Sequence, residues 1–118
     1  MMAVAQKQRA EASAVGTTLT AKYFRALGDP TRLRILELLI ERPLTVSDLV
    51  RELSCAQSNI SNHLACLRWC GFVEADNRGK WAYYSVSDAK IRTVIKLVRS
   101  LVSENAEHVA ACVRVTER

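Results

Sequence analysis

The segment from Thr45 to Gly71 leaves the chain few ways to fold. Thr45 to Leu53 and Ser58 to Cys70 carry apolar residues at helical spacing: Val46, Leu49, Val50 and Leu53 in the first, Ile60, Leu64 and Leu67 in the second. A short turn around Ser54 to Ala56 is all that separates them, so the two must form a tight helix pair. Thr45 and Asp48 make a capping-box-like start for the first helix. Gly71 suits the left-handed residue just past the end of the second.

The second helix has an unusual outer face. Gln57, Ser58, Asn59, Ser61 and Asn62 are short amides and hydroxyls, and from Ala56 to Cys66 there is no Lys, Arg, Asp or Glu. A merely solvated face usually carries Lys and Glu. Amide and hydroxyl groups instead match the donor and acceptor edges of the major groove. Arg68, further along, is placed for a phosphate. His63 lies between this face and the apolar stripe, as a packing or phosphate-contact residue. Cys66 and Cys70 are one helical turn apart and share a face, so two thiols can hold one ligand. Thiolates select soft metal ions. The plainer alternative is two small apolar residues in a core.

The rest of the chain supplies a scaffold for this pair. Residues 1 to about 16 are Ala-rich and end at Gly16, predicting a helix or arm. Leu19 to Leu27 predicts a short helix with Tyr23, Phe24 and Leu27 inward, broken by Gly28. Asp29 caps and Pro30 opens a helix whose Leu33, Ile35, Leu36, Leu38, Leu39 and Ile40 make it central, and Pro43 ends it by residue 42. Phe72 to Asp76 and Trp81 to Val86 read as strands around a tip at Asn77 to Lys80. Arg78 and Lys80 put positive charge on that tip, suited to phosphate. Trp69 and Trp81 read as packing or partly exposed aromatics. Asp88 caps a long last helix, to about Val109, with Ile91, Val94, Ile95, Val98, Leu101 and Val102 along one stripe. A helix pair followed by a basic hairpin is a winged helix-turn-helix, mainly α with a small β-hairpin.

Whole-chain properties agree. The 118 residues make one small domain: 1–18 an N-terminal helix or arm, 19–110 the winged helix-turn-helix with its last helix for dimerisation, 111–118 a tail. The formal net charge of +5 fits a polyanionic partner. No apolar run reaches membrane length and no signal core opens the chain, so the expected location is cytoplasmic. The four cysteines are then reduced thiols, suited to metal or redox chemistry. No nucleophile-base-acid set and no Gly-rich phosphate loop is visible, which argues against an enzyme.

Asp29-Pro30-Thr31-Arg32-Leu33-Arg34-Ile35-Leu36, followed by Ser61-Asn62-His63-Leu64 with Leu67, Gly71, Phe72 and Val73, resembles the ArsR/SmtB metal-sensing repressors over about residues 20 to 100. Within that family the stretch from Ser58 to Gly71 is most similar to the CmtR-type cadmium and lead sensors. The resemblance implies a homodimer on double-stranded operator DNA, released by Cd(II) or Pb(II) held on Cys66, Cys70 and a tail cysteine, here Cys112. Hg(II), As(III), Zn(II) or thiol oxidation are further inputs the same thiols allow. The cysteine pair that one subgroup carries before the recognition helix is replaced by Thr45 and Ser47, and the last helix offers only Asp88 and His108 towards a zinc site. Cys55 stands where the pattern has an apolar residue and reads as core filling. His108 reads as a solvated residue or an auxiliary donor. A last helix of roughly 33 Å carries Cys112 away from its own Cys66, so a two-fold partner is expected to supply it.

Overall fold

The computed structural model describes residues 2–112, the side chains of 2–7 and 9–12 excepted; the expected tail beyond Cys112 lies outside the described residues. The chain divides into two compact units, Met1–Val86 and Ser87–Arg118.

The first unit holds α1 (Met2–Leu27), α2 (Pro30–Glu41), α3 (Val46–Leu53), α4 (Gln57–Trp69) and a hairpin of β1 (Val73–Arg78) and β2 (Trp81–Val86). The helix starts follow the sequence signals. The Asp29 carboxylate accepts from the Arg32 amide at 3.0 Å, with Pro30 in the first turn of α2. Thr45 and Asp48 form a full capping box: the Thr45 hydroxyl accepts the Asp48 amide at 3.1 Å and the Asp48 carboxylate accepts the Thr45 amide at 3.0 Å. Thr45 is itself buried, so the box also satisfies a polar side chain removed from water. α4 ends in a Schellman arrangement: Phe72 donates to the Leu67 carbonyl at 2.8 Å and Gly71 to that of Arg68 at 3.1 Å, with Gly71 at φ 82°.

Ile35, Leu36 and Leu39 of α2, Leu49 of α3, and Ile60, Leu64 and Leu67 of α4 are buried with Leu44, Phe72 and Val73. The hairpin pairs in register from Val73 with Val86 to Arg78 with Trp81, which leaves Gly79 and Lys80 as a two-residue tip. Pairing therefore reaches two residues further than the expected strand end at Asp76. Leu44 adds an isolated bridge to Tyr84, with bonds of 3.0 and 2.8 Å.

The sequence reading is corrected at three points in the helices. α1 runs unbroken through Gly16, where a helix or arm was expected to end before a separate short helix from Leu19. A glycine inside a helix costs only about 1 kcal/mol relative to alanine, and the turns on either side continue the ladder. Phe24, expected inward, is 55% exposed, while Leu27 is buried. The last helix is not continuous to Val109.

The second unit holds α5 (Ala89–Glu104) and α6 (Ala106–Ala111). Asp88 caps α5 by accepting the Lys90 amide at 2.8 Å. The break falls at Asn105, whose side-chain amide donates to the Leu101 carbonyl at 3.0 Å. Asn disfavours helix interiors because its side chain competes for backbone partners. α5 is therefore about 24 Å long at 1.5 Å per residue. Ile91 and Ile95 are buried, whereas Leu97, Val98, Leu101 and Val102 are exposed. Among the described residues no helix is long and apolar enough to cross a membrane.

Candidate nucleic-acid interface and thiol pair

α3 and α4 meet through three residues. Ser54 ends α3 in the left-handed region (φ 53°, ψ 40°) and donates to the Val50 carbonyl at 2.9 Å. Cys55 follows, and Ala56 is extended as α4 begins. This sharp reversal lets the buried stripe of α4 fix which face looks outward. Gln57, Ser58, Asn59, Ser61, Asn62 and Arg68 are all exposed. No side chain caps the first turn of α4, in contrast to α2, α3 and α5. A shallow groove beside this face is lined by Ser61, Leu64, Ala65, Arg68, Trp69 and Tyr84. Trp69, expected to pack or to be partly exposed, is 93% exposed in the single chain.

His63 differs from its neighbours on α4. Its side chain is 18% exposed. Nδ1 stands 3.5 Å from the Arg32 guanidinium and Nε2 3.9 Å from the Asp29 carboxylate. Burial pushes the Asp29 carboxyl up, but the Arg32 amide bond and the charges of His63 and Arg32 outweigh it and hold it below its ordinary value. Sequence reasoning gave Arg32 no role. Its signal was present in Asp29-Pro30-Thr31-Arg32, but its partner lies 31 positions away.

The wing is charged and aromatic. Arg78 Nε lies 3.0 Å from the Asp76 carboxylate, and its guanidinium carbon 4.9 Å from the Tyr83 ring centre. Lys80 Nζ lies 5.5 Å from that of the half-exposed Trp81. Arg78 therefore shares its charge with an acid, and Lys80 at the tip faces only an aromatic ring among these contacts.

The thiols occupy the far end of α4. Cys66 is half-buried and Cys70 exposed. Partial desolvation of its sulfur, the like charge of Cys66 and a hydrogen bond with the Cys66 sulfur push the Cys70 thiol up; Lys22 and Arg32 pull the other way without cancelling this. Two thiols one helical turn apart that act on each other electrostatically suit one soft ion, which displaces the protons. Among the described residues no group of three His, Cys, Asp or Glu side chains gathers as a metal ligand set. The pair thus fits two donors of a soft-metal site and needs a third. Cys112, at the end of α6, is half-buried and His108 is exposed. Cys55 is half-buried rather than part of the core, its sulfur 3.5 Å from the Leu53 carbonyl.

Comparison with known proteins gives a consistent picture. Residues 29–75 match the profile of "Bacterial regulatory protein, arsR family". The chain is 38% identical over 96 residues to a probable mercury resistance operon repressor of Streptomyces lividans, covering 81% of this chain and 77% of that protein. It superposes on the cadmium metal-sensor CmtR of Mycobacterium tuberculosis with a TM-score of 0.59 and 40% identity, over 69% of this chain and 85% of the other. A homodimeric winged helix-turn-helix DNA-binding domain of Mycobacterium bovis gives a TM-score of 0.74 at 27% identity, over 80% of this chain and 88% of that one.

Proposed function

The chain belongs to the arsR family of bacterial regulatory proteins, and from that premise we propose a homodimeric, cytoplasmic repressor that holds a pseudo-palindromic operator when metal-free and releases it on binding a soft ion. Its fold is the winged helix-turn-helix, and its family and relatives are transcriptional regulators, not enzymes.

One observation carries the proposal. α4 presents exposed amides and hydroxyls over its first half and two thiols one turn apart, Cys66 and Cys70, at its far end. One rigid element therefore holds both the groove-reading groups and the ion-binding groups. In this reading Gln57, Ser58, Asn59, Ser61 and Asn62 face base edges, while Arg68, Arg78 and Lys80 face phosphates. Cd(II) or Pb(II) is held by Cys66, Cys70 and Cys112. Thiolate ligation constrains the helix that must sit in the groove, so ion binding and DNA binding oppose each other, and by linkage each weakens the other equally.

Exposed apolar side chains support the dimer. Leu97, Val98, Leu101 and Val102 share one side of α5, and Val15 and Leu19, one turn apart, share one side of α1. Faces of this kind are what a two-fold partner covers.

The similarity to a mercury resistance operon repressor favours a second input, Hg(II), at the same thiols. Titrating reduced protein with Cd(II), Pb(II), Hg(II), As(III) and Zn(II), while reading thiolate-to-metal absorption and DNA binding together, tests both readings. Ligation without DNA release in every case would refute the sensor proposal.

A further inference from the structure

Arg32 stands where three helices meet. Its Nε donates to the Ala26 carbonyl at 2.7 Å, and one terminal nitrogen makes a longer contact, 3.4 Å, to the Arg25 carbonyl. Those carbonyls belong to the last turn of α1, where backbone acceptors lack partners within the helix. Its own amide is bonded to Asp29 at the start of α2. The other terminal nitrogen points to His63 on α4. A guanidinium is a rigid planar fork with donors only. With two arms fixed on α1, the third is aimed by geometry.

That donor selects between the nitrogens of the imidazole. In a hydrogen bond with a donor-only guanidinium Nδ1 accepts, which leaves Nε2 as the nitrogen that carries hydrogen, towards the Asp29 carboxylate 3.9 Å away. An imidazole turned inward between Arg32 and Asp29 is not presented to a phosphate.

We propose that Arg32 and His63 are positioning residues that set the rotation and seat of α4 on α1 and α2, and that His63 serves DNA reading through this clamp and not by touching DNA. The inference rests on the reading of α4 as the DNA-reading helix. The buried stripe of Ile60, Leu64 and Leu67 is apolar, and apolar contact is not directional. It holds α4 down but resists small rotations weakly. A polar tie from the flank of the helix to two fixed carbonyls supplies direction.

The test uses duplex selected from a randomised library by the wild-type protein, compared with mixed-sequence duplex. Arg32→Gln and His63→Ala should each lower the preference for selected over mixed duplex by about fivefold, the scale of one lost hydrogen bond. Affinity for mixed duplex should stay nearly unchanged. The double variant should lose no more than the worse single one. His63→Gln, which keeps an acceptor for Arg32, should recover most of the preference. Equal losses on both duplexes with a flatter salt dependence would make these residues phosphate contacts and overturn the proposal, as would additive losses. The imidazole nitrogen shifts of free wild-type protein decide independently of any variant that folds poorly. An unprotonated Nδ1 on His63, lost in Arg32→Lys, supports the clamp; a protonated Nδ1 refutes it. If wild-type protein selects no duplex at all, the DNA-reading assignment of α4 fails instead.

Discussion

The ring of Tyr23 lies on that of Phe72, with centroids 4.2 Å apart and planes tilted by 34°. The contact joins the end of α1 to the residue that closes α4 and leads into the wing. Phe72 is fully buried, so Phe72→Ala should cost about 3–5 kcal/mol. Tyr23→Ala should cost less, because that ring is partly exposed. A double-mutant cycle by denaturant unfolding should return a coupling of about 0.5–1.5 kcal/mol. Strict additivity would mean the rings merely share a neighbourhood.

The capping box on α3 sets an acid limb of stability. The Thr45 amide bond, then the Thr45 hydroxyl and the Arg51 and Arg42 charges, hold the Asp48 carboxyl below its ordinary value against a smaller opposing effect of burial. A depressed folded-state value stabilises the protein above the ordinary carboxylate range, and that contribution is lost as pH falls through the depressed value. Thr45→Ala should lower stability by about 1 kcal/mol near neutral pH. Asp48→Asn should flatten the fall in stability with acid, measured by urea unfolding across the acid range. An unchanged acid limb would show that other carboxylates govern it.

Cys66→Ser and Cys70→Ser should each abolish release of DNA by Cd(II) or Pb(II) while leaving metal-free DNA binding intact, because a hydroxyl is a poor donor to soft ions. Cys55→Ser should respond to metal as wild type does. The readout is fluorescence anisotropy of labelled duplex during metal titration. Normal release in either of the first two variants would remove those thiols from the site.

On DNA, Asn59→Ala and Asn62→Ala should reduce the preference for selected over mixed duplex. Lys80→Ala should weaken both about equally and reduce the salt slope by about one unit. Retained preference in both Asn variants would move base reading off α4.

Mixed dimers test where the third thiol comes from. A Cys112→Ser subunit paired with a Cys66→Ser, Cys70→Ser subunit keeps one complete site if ligands are shared across the two-fold axis. It keeps none if each chain binds alone. One metal per mixed dimer, counted by titration, is the expected result; weak binding throughout would place the site within a chain.

Much of this protein was set locally by its sequence. The starts of α2, α3 and α5 rest on Asp29, Thr45 and Asp88, and the end of α4 on Gly71. These signals act within a few residues, which is the range over which caps, turns and helical stripes operate. The exposed amide face of α4 and the adjacency of Cys66 and Cys70 follow from the same short-range geometry. Tertiary structure decided the rest. No local pattern says that Arg32 reaches His63, or that Tyr23 covers Phe72, because each contact needs helices distant in sequence to be packed first. The continuity of α1 through Gly16 also went against local preference, whereas the break at Asn105 agrees with the poor fit of Asn in a helix interior and was hidden by the apolar stripe on either side. At Gly16 the propensity at stake is about 1 kcal/mol, small enough for the helical turns on either side to override.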